Sequence, residues 1–171
     1  MYKRQSPDST TPCSTCANAE RSAAFYEDAL GFRRVMSTPG AVFLQASGST
    51  NDHDLGLFSV GEAAGPSEAG RRTVGLYHLA WEVDTLDELE RVAAVLTGRR
   101  ALVGASDHGS TKAIYARDPD GIEFEVSWLV PADLLDDEAT TARSTIRPLD
   151  LEREKARYGA TTRGGIGVSI P

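Results

Sequence analysis

Cysteine is scarce in this chain, with two among 171 residues, both in a single Cys13-x-x-Cys16 motif. No second pair and no neighbouring histidine accompany it, which argues against structural zinc. A redox motif would want a strand before it and a helix opening at it. Long hydrophobic runs are missing too. No apolar stretch approaches the roughly 18 residues needed to span a bilayer, and no signal-peptide core is visible. Dense basic runs are absent, and the net charge is −7, so neither nucleic acid nor an anionic membrane surface is an expected partner. The expected compartment is the cytoplasm. Histidine occurs only three times, at His53, His78 and His108, so each can be followed individually.

The 40% apolar content is enough for a real core, and the length suits one domain or two small modules. Residues 1–17 are polar, rich in Ser, Thr and Pro, and lack periodicity, which reads as disorder. Ala19 to Leu30 reads as an amphipathic helix with Ala23, Phe25, Tyr26 and Leu30 toward a core and Gly31 as its stop. Strands are expected over Phe32–Ser37 and Ala41–Ala46, around a Pro39-Gly40 turn, and over Leu55–Val60. A linker follows over 61–73.

The second half opens on an expected strand, Val74–Val83, in which Tyr77, Leu79, Trp81 and Val83 alternate with Leu76, His78, Ala80 and Glu82. Thr85-Leu-Asp-Glu88 is a capping box for a helix to about Gly98. Strands are then expected over Ala101–Gly104, Lys112–Arg117 and Ile122–Leu129. Residues 131–171 are charged and weakly periodic, with one helix around Leu149–Tyr158, and read as an appendage.

Asp118-Pro-Asp-Gly121 is a strong turn signal, suited to a type I turn closed by a glycine bulge. That geometry pairs Asp118 with Ile122 and sets Tyr115 opposite Glu125. The outgoing strand then carries Ile122, Phe124, Val126 and Trp128 on one face, with Glu123, Glu125 and Ser127 on the other. A mid-strand carboxylate beside a tyrosine needs a partner or a task. The plain reading is a wet face, with Glu123 paired to Arg117 and Glu125 solvated. His78 falls on the matching face of its own strand. A single strand histidine is more often structural, yet two histidines and one carboxylate make the facial triad of non-haem iron(II) oxygenases.

Three segments carry a resemblance: Ser22-Ala-Ala-Phe-Tyr-Glu-Asp-Ala-Leu-Gly-Phe32, Gly75-Leu-Tyr-His-Leu-Ala-Trp-Glu-Val83 and Asp118-Pro-Asp-Gly-Ile-Glu-Phe-Glu-Val126. They resemble the vicinal oxygen chelate superfamily of glyoxalase I, fosfomycin- and bleomycin-resistance proteins and extradiol dioxygenases, over about Ala19 to Trp128. The resemblance implies an α+β fold of paired βαβββ modules, spanning 18–60 and 74–130 within one domain over 18–130, whose curved mixed sheets form a metal-binding cup. Finer features are similar to the catechol 2,3-dioxygenase branch. By that resemblance His78 and Glu125 are metal ligands, His53 is the acid–base residue, and His108 and Tyr115 hydrogen-bond the substrate. The implied cofactor is Fe(II), with Mn(II) or another divalent metal as the alternative. The implied partners are a small catecholic or aromatic substrate and O₂, with a homodimer as one option. Apart from the resemblance, His53 reads equally as a solvated loop residue, His108 as a turn histidine and Tyr115 as a strand aromatic.

One part of the pattern fails. The family's first metal histidine sits about ten residues before Arg21, where this chain has Thr11-Pro-Cys-Ser-Thr-Cys-Ala17. Read one base earlier, the codons for that stretch admit His-Pro-Val-Leu-His-Val-Arg, the expected ligand-bearing strand. Residues 1–17 are therefore expected to be disordered or frame-shifted, with the first strand of module one degraded. With two protein ligands, iron binding is expected to be weak and the chain inactive unless a dimer partner or Cys16 completes the site. Two alternatives stay open. A glyoxalase-like isomerase or transferase would want a further carboxylate where Gly56 stands. A non-catalytic module that binds a small molecule or antibiotic would need no metal.

Overall fold

The computed structural model describes residues 11–69 and 73–165. The chain divides into two compact units, Met1–Pro66 and Ser67–Pro171.

The first unit runs β1 (Cys13–Cys16), α1 (Ala19–Leu30), β2 (Arg33–Thr38), β3 (Ala41–Gln45) and β4 (Leu55–Ser59), with strand order β1-β4-β3-β2. Helix α1 starts where the Asn18 side chain accepts the Arg21 N–H, and it stops at Gly31, whose φ of 70° suits a residue without Cβ. Ala23, Phe25, Tyr26 and Ala29 are buried, whereas Leu30 is only half-buried. They pack with Val42, Leu44, Leu55 and Leu57, which alternate onto one face of β3 and β4 and are at most 1% exposed.

The expectation of disorder through residue 17 is corrected for Cys13–Cys16. These residues form β1, paired parallel to β4 with Cys13 opposite Gly56 and Cys16 opposite Ser59. The ladder is closed by backbone groups alone, from the Gly56 N–H to Pro12 O and from the Val60 N–H to Cys16 O. A sheet edge accepts any backbone that offers it donors and acceptors, so a polar sequence is captured there. Cys16 turns into the core and behaves as a small hydrophobe. Residues 1–10, also expected to be disordered, lie outside the described residues.

The second unit contains β5 (Leu79–Glu82), α2 (Leu86–Gly98), β6 (Leu102–Asp107), β7 (Thr111–Arg117), β8 (Glu123–Leu129), a 3₁₀ turn (Ala132–Leu134), α3 (Asp137–Ala142), β9 (Arg147–Pro148) and α4 (Leu151–Tyr158). The strand order is β5-β8-β7-β6-β9. Both units are thus βαβββ modules with mixed sheets. The Thr85 side chain caps α2 as expected, accepting the Glu88 N–H. Leu86, Leu89, Val92 and Leu96 line its buried stripe, and Ile114, Phe124, Val126 and Trp128 line the buried face of the sheet.

The hairpin between β7 and β8 has the expected register. The Asp118 N–H donates to Ile122 O, Gly121 sits at φ 80°, and Tyr115 is opposite Glu125. Two expectations change. The strand expected over Val74–Val83 shortens to Leu79–Glu82, because its parallel partner β8 begins only at Glu123 and Leu79 already pairs with Phe124. Residues 131–165 are built into the second unit rather than appended. Strand β9 extends the sheet beside β6, and the Trp128 indole donates to Thr162 O across the returning chain.

Candidate functional site

Strand alternation sorts the second unit's polar groups onto two faces. Lys112, Ile114 and Ala116 of β7 point to the helix-covered side with Trp128, Val126 and Phe124. Tyr115 and Glu125 therefore stand on the opposite face, directly across the β7–β8 pair. His78 lies one residue ahead of β5, and its ring reaches the same place. Its Nε2 is 3.3 Å from Glu125 Oε2, and its ring centroid is 6.0 Å from that of Tyr115. His78 Nδ1 is buried without a hydrogen-bond partner.

His108, in the β6–β7 turn, completes the cluster. Its Nε2 lies 3.1 Å from Tyr115 Oη and 2.8 Å from Ser106 Oγ, and the two hydroxyls are 3.3 Å apart. Four of the five site residues expected from sequence, His78, His108, Tyr115 and Glu125, thus gather on one face of one sheet. Burial holds the Tyr115 phenol above its ordinary pKa. The Ser106 bond opposes that rise, while Glu125 reinforces it by charge and hydrogen bonding. Tyr115 is a neutral hydrogen-bond donor at neutral pH.

Sequence reasoning did not single out Ser106 or assign a task to Tyr77. Tyr77 stacks edge-on against His78 with ring centroids 4.8 Å apart. Its pKa is raised by its hydrogen bond to Glu123 and by that carboxylate's charge. Glu123 also meets Arg117 at 3.5 Å, the pairing expected for the hairpin. Ser106 carries no signal of its own, since a serine in a strand is ordinary until its neighbours across the ladder are known.

His53 belongs to the first unit. Its Nδ1 is 2.8 Å from Asp52 Oδ2, and its ring packs edge-on against Phe43 with centroids 5.0 Å apart. Thr11, at the position counted for the missing histidine, donates its hydroxyl to the His53 carbonyl at 2.7 Å. Gly56 is crowded. A Cβ there would meet Cys13 Sγ at 3.1 Å, Phe58 Cε2 at 3.3 Å and Phe43 Cδ1 at 3.6 Å, so a larger side chain in its place needs Cys13 and Phe58 to give way by a few tenths of an ångström. Cys13 is exposed and Cys16 buried, on opposite faces of β1. Cys16 Sγ lies 3.5 Å from Phe58 O.

The donor set can be tested against a metal. One imidazole nitrogen and one carboxylate oxygen 3.3 Å apart can both touch one divalent ion at the usual donor distances of about 2.0–2.2 Å. They fill two positions. Among the described residues, no group of three or more His, Cys, Asp or Glu side chains gathers as a metal site.

Residues 12–126 match the model of the Glyoxalase/Bleomycin resistance protein/Dioxygenase superfamily. Among solved structures, the chain is similar to a glyoxylase/bleomycin resistance protein/dioxygenase domain from Frankia sp. EAN1pec, with 16% identity over 74% of this chain and 100% of that one, at a TM-score of 0.61. It is also similar to lactoylglutathione lyase from Agrobacterium tumefaciens, with 20% identity over 72% and 95% of the two chains and a TM-score of 0.53. A third neighbour is a mutant of the genomically encoded fosfomycin resistance protein FosX from Listeria monocytogenes, complexed with Mn(II) and 1S,2S-dihydroxypropylphosphonic acid. It is 13% identical over 71% and 90% of the two chains, with a TM-score of 0.54. No curated protein matches. At these identities the structural neighbours carry the fold alone, and no helix among the described residues is long and apolar enough to cross a membrane. With more than half of its length matched to the family model, the chain belongs to the Glyoxalase/Bleomycin resistance protein/Dioxygenase superfamily.

Proposed function

We propose that this chain carries the site of an extradiol-type ring-cleavage dioxygenase for a catecholic or related small aromatic substrate. The observation that supports it most is the juxtaposition of the His78–Glu125 pair with the Tyr115–His108–Ser106 hydrogen-bond cluster. His78 and Glu125 would hold a divalent metal, Fe(II) first and Mn(II) second. Bound there, the metal supplies a template for the substrate's two vicinal oxygens and O₂ and a path for electrons between them.

The remaining work falls to the chain's own groups. Tyr115, kept neutral, donates a hydrogen bond to a substrate oxygen as negative charge develops on it. His108 Nε2, shared with Tyr115 and Ser106, holds or passes the proton of that hydroxyl cluster. His53 would serve as the acid or base, with Asp52 at its Nδ1 leaving Nε2 to exchange the proton. Asp52 is exposed, so this orientation is only weakly held.

Two donors bind a metal weakly, and a third must come from a restored opening strand or a second copy of the chain. A metal-free binding module for a small aromatic is the second reading, favoured by the missing third donor. The glyoxalase-like alternative stays open, and it would want a further carboxylate at Gly56, where Cys13 and Phe58 would have to give way. The deciding experiment compares this chain with a version carrying His-Pro-Val-Leu-His-Val-Arg in place of residues 11–17. Both are loaded anaerobically with Fe(II) and assayed for catechol-dependent O₂ uptake. Iron binding and O₂ uptake by the restored protein alone support the dioxygenase. Failure of both to bind metal, with tight metal-free ligand binding in equilibrium dialysis, establishes the binding module.

A further inference from the structure

The second unit buries a charged cluster that the proposed chemistry does not use. Lys112 is 1% exposed, and Asp107 and Glu154 are fully buried. The Lys112 ammonium lies 2.6 Å from Asp107 Oδ1 and 2.9 Å from Glu154 Oε2, and it donates to Gly109 O at 2.9 Å. Arg147 of β9 and Arg153 of α4 reach the other Asp107 oxygen at 3.0 and 3.3 Å. Buried ion clusters contribute little net stability compared with well-packed apolar side chains. What they do supply is geometry, because each member is held only where all its partners are satisfied.

The geometry here converges on one residue. Asp107 and Gly109 are the two neighbours of His108, and Lys112 bonds to both. Asp107 Oδ1 also accepts the Gly109 N–H at 2.8 Å, and the His108 N–H donates to Thr111 O. Helix α3 presses on the same turn. Gly109 has φ 75°, and a Cβ there would stand 2.2 Å from Ala139 O and 3.0 Å from Arg143 N. The cluster occupies the helix-covered side of the sheet, while the His108 ring emerges on the other side against Tyr115 and Ser106.

We propose that the Lys112–Asp107–Glu154 cluster, closed by the C-terminal segment through α3 and α4, positions His108 from the far side of the sheet. The inference rests on the reading of His108 and Tyr115 as substrate-facing groups. In it, Lys112, Asp107 and Glu154 are positioning residues that touch no substrate. Residues 131–165, which sequence alone leaves within an appendage, become part of the site's frame.

The test reads the imidazole directly. Three histidines make the long-range ¹H–¹⁵N spectrum of uniformly labelled protein assignable by single substitutions. The double variant Lys112→Met/Glu154→Leu removes one charge of each sign, and Asp107 keeps Arg147 and Arg153 at its other oxygen. Glu154→Gln keeps the shape and loses only the charge, and it decides the question if the double variant does not fold. The expected result is a protein with wild-type circular dichroism whose His108 nitrogens shift toward a mixture of tautomers, while those of His78 stay in place. A folded variant with an unchanged His108 spectrum overturns the proposal. Failure of O₂ uptake in the strand-restored protein, with the His108 shift still observed in the variant, counts against the dioxygenase reading and leaves the positioning role standing.

Discussion

His78 Nε2 and Glu125 Oε2 stand 3.3 Å apart, brought together by the parallel pairing of β5 with β8. Each is a poor site alone, and at this separation the two can touch one divalent ion, as the proposed function requires. Mn(II) titration followed by electron paramagnetic resonance should show weak binding in the native chain. His78→Ala or Glu125→Ala should weaken it by more than the roughly 10–100-fold typical of losing an outer partner. Unchanged binding in both variants would remove the pair from the metal.

His53→Gln should separate turnover from metal content. In the strand-restored protein we expect kcat to fall by about 10²- to 10⁴-fold, the usual contribution of a positioned acid or base, with iron content unchanged. Parallel loss of both would strip His53 of its proton-transfer assignment.

Tyr115→Phe keeps the ring against His78 and removes only the hydroxyl shared with His108 and Ser106. Catechol turnover in the strand-restored protein should drop by about 10²-fold, in the range of losing one donor to developing charge. Stability should change by about 1 kcal/mol or less. A turnover equal to wild type would reduce Tyr115 to a strand aromatic.

Asp107 gives a pH signature. Burial alone would raise its pKa. The hydrogen bonds from Lys112 and the Gly109 N–H, with the charges of Lys112 and Arg147, outweigh burial and hold it below the ordinary value. A depressed folded pKa contributes stability that is fully present above the unfolded value of about 3.9, and that stability is lost as pH falls through the lower folded value. The difference in Tm between wild type and Asp107→Asn should therefore be constant near pH 6 and shrink below about pH 4. A gap that widens on acidification would contradict the ion cluster.

Much of this protein was legible along the chain. The Asp118–Gly121 turn set the register of Tyr115 against Glu125, because turn chemistry and strand alternation are local properties. The capping box at Thr85, the glycine stop at Gly31 and the apolar periodicity placed both long helices for the same reason, while the Asn18 cap was not singled out. The motifs around His78 and Glu125 pointed to the superfamily that the family match established.

Other features depended on neighbours distant in sequence. Cys13–Cys16 is a strand because β4 offers it a ladder, a partner that its own polar side chains do not announce. Val74–His78 alternates like a strand yet has no ladder, because β8 turns away into the hairpin before reaching it. Glu154 and Lys112, ordinary surface charges by composition, are buried together because β7 alternation turns one inward and α4 docks to meet it. Local chemistry can be read from residues a few positions apart. Which groups lose water and find each other is decided by packing between segments, and only the tertiary structure holds that information.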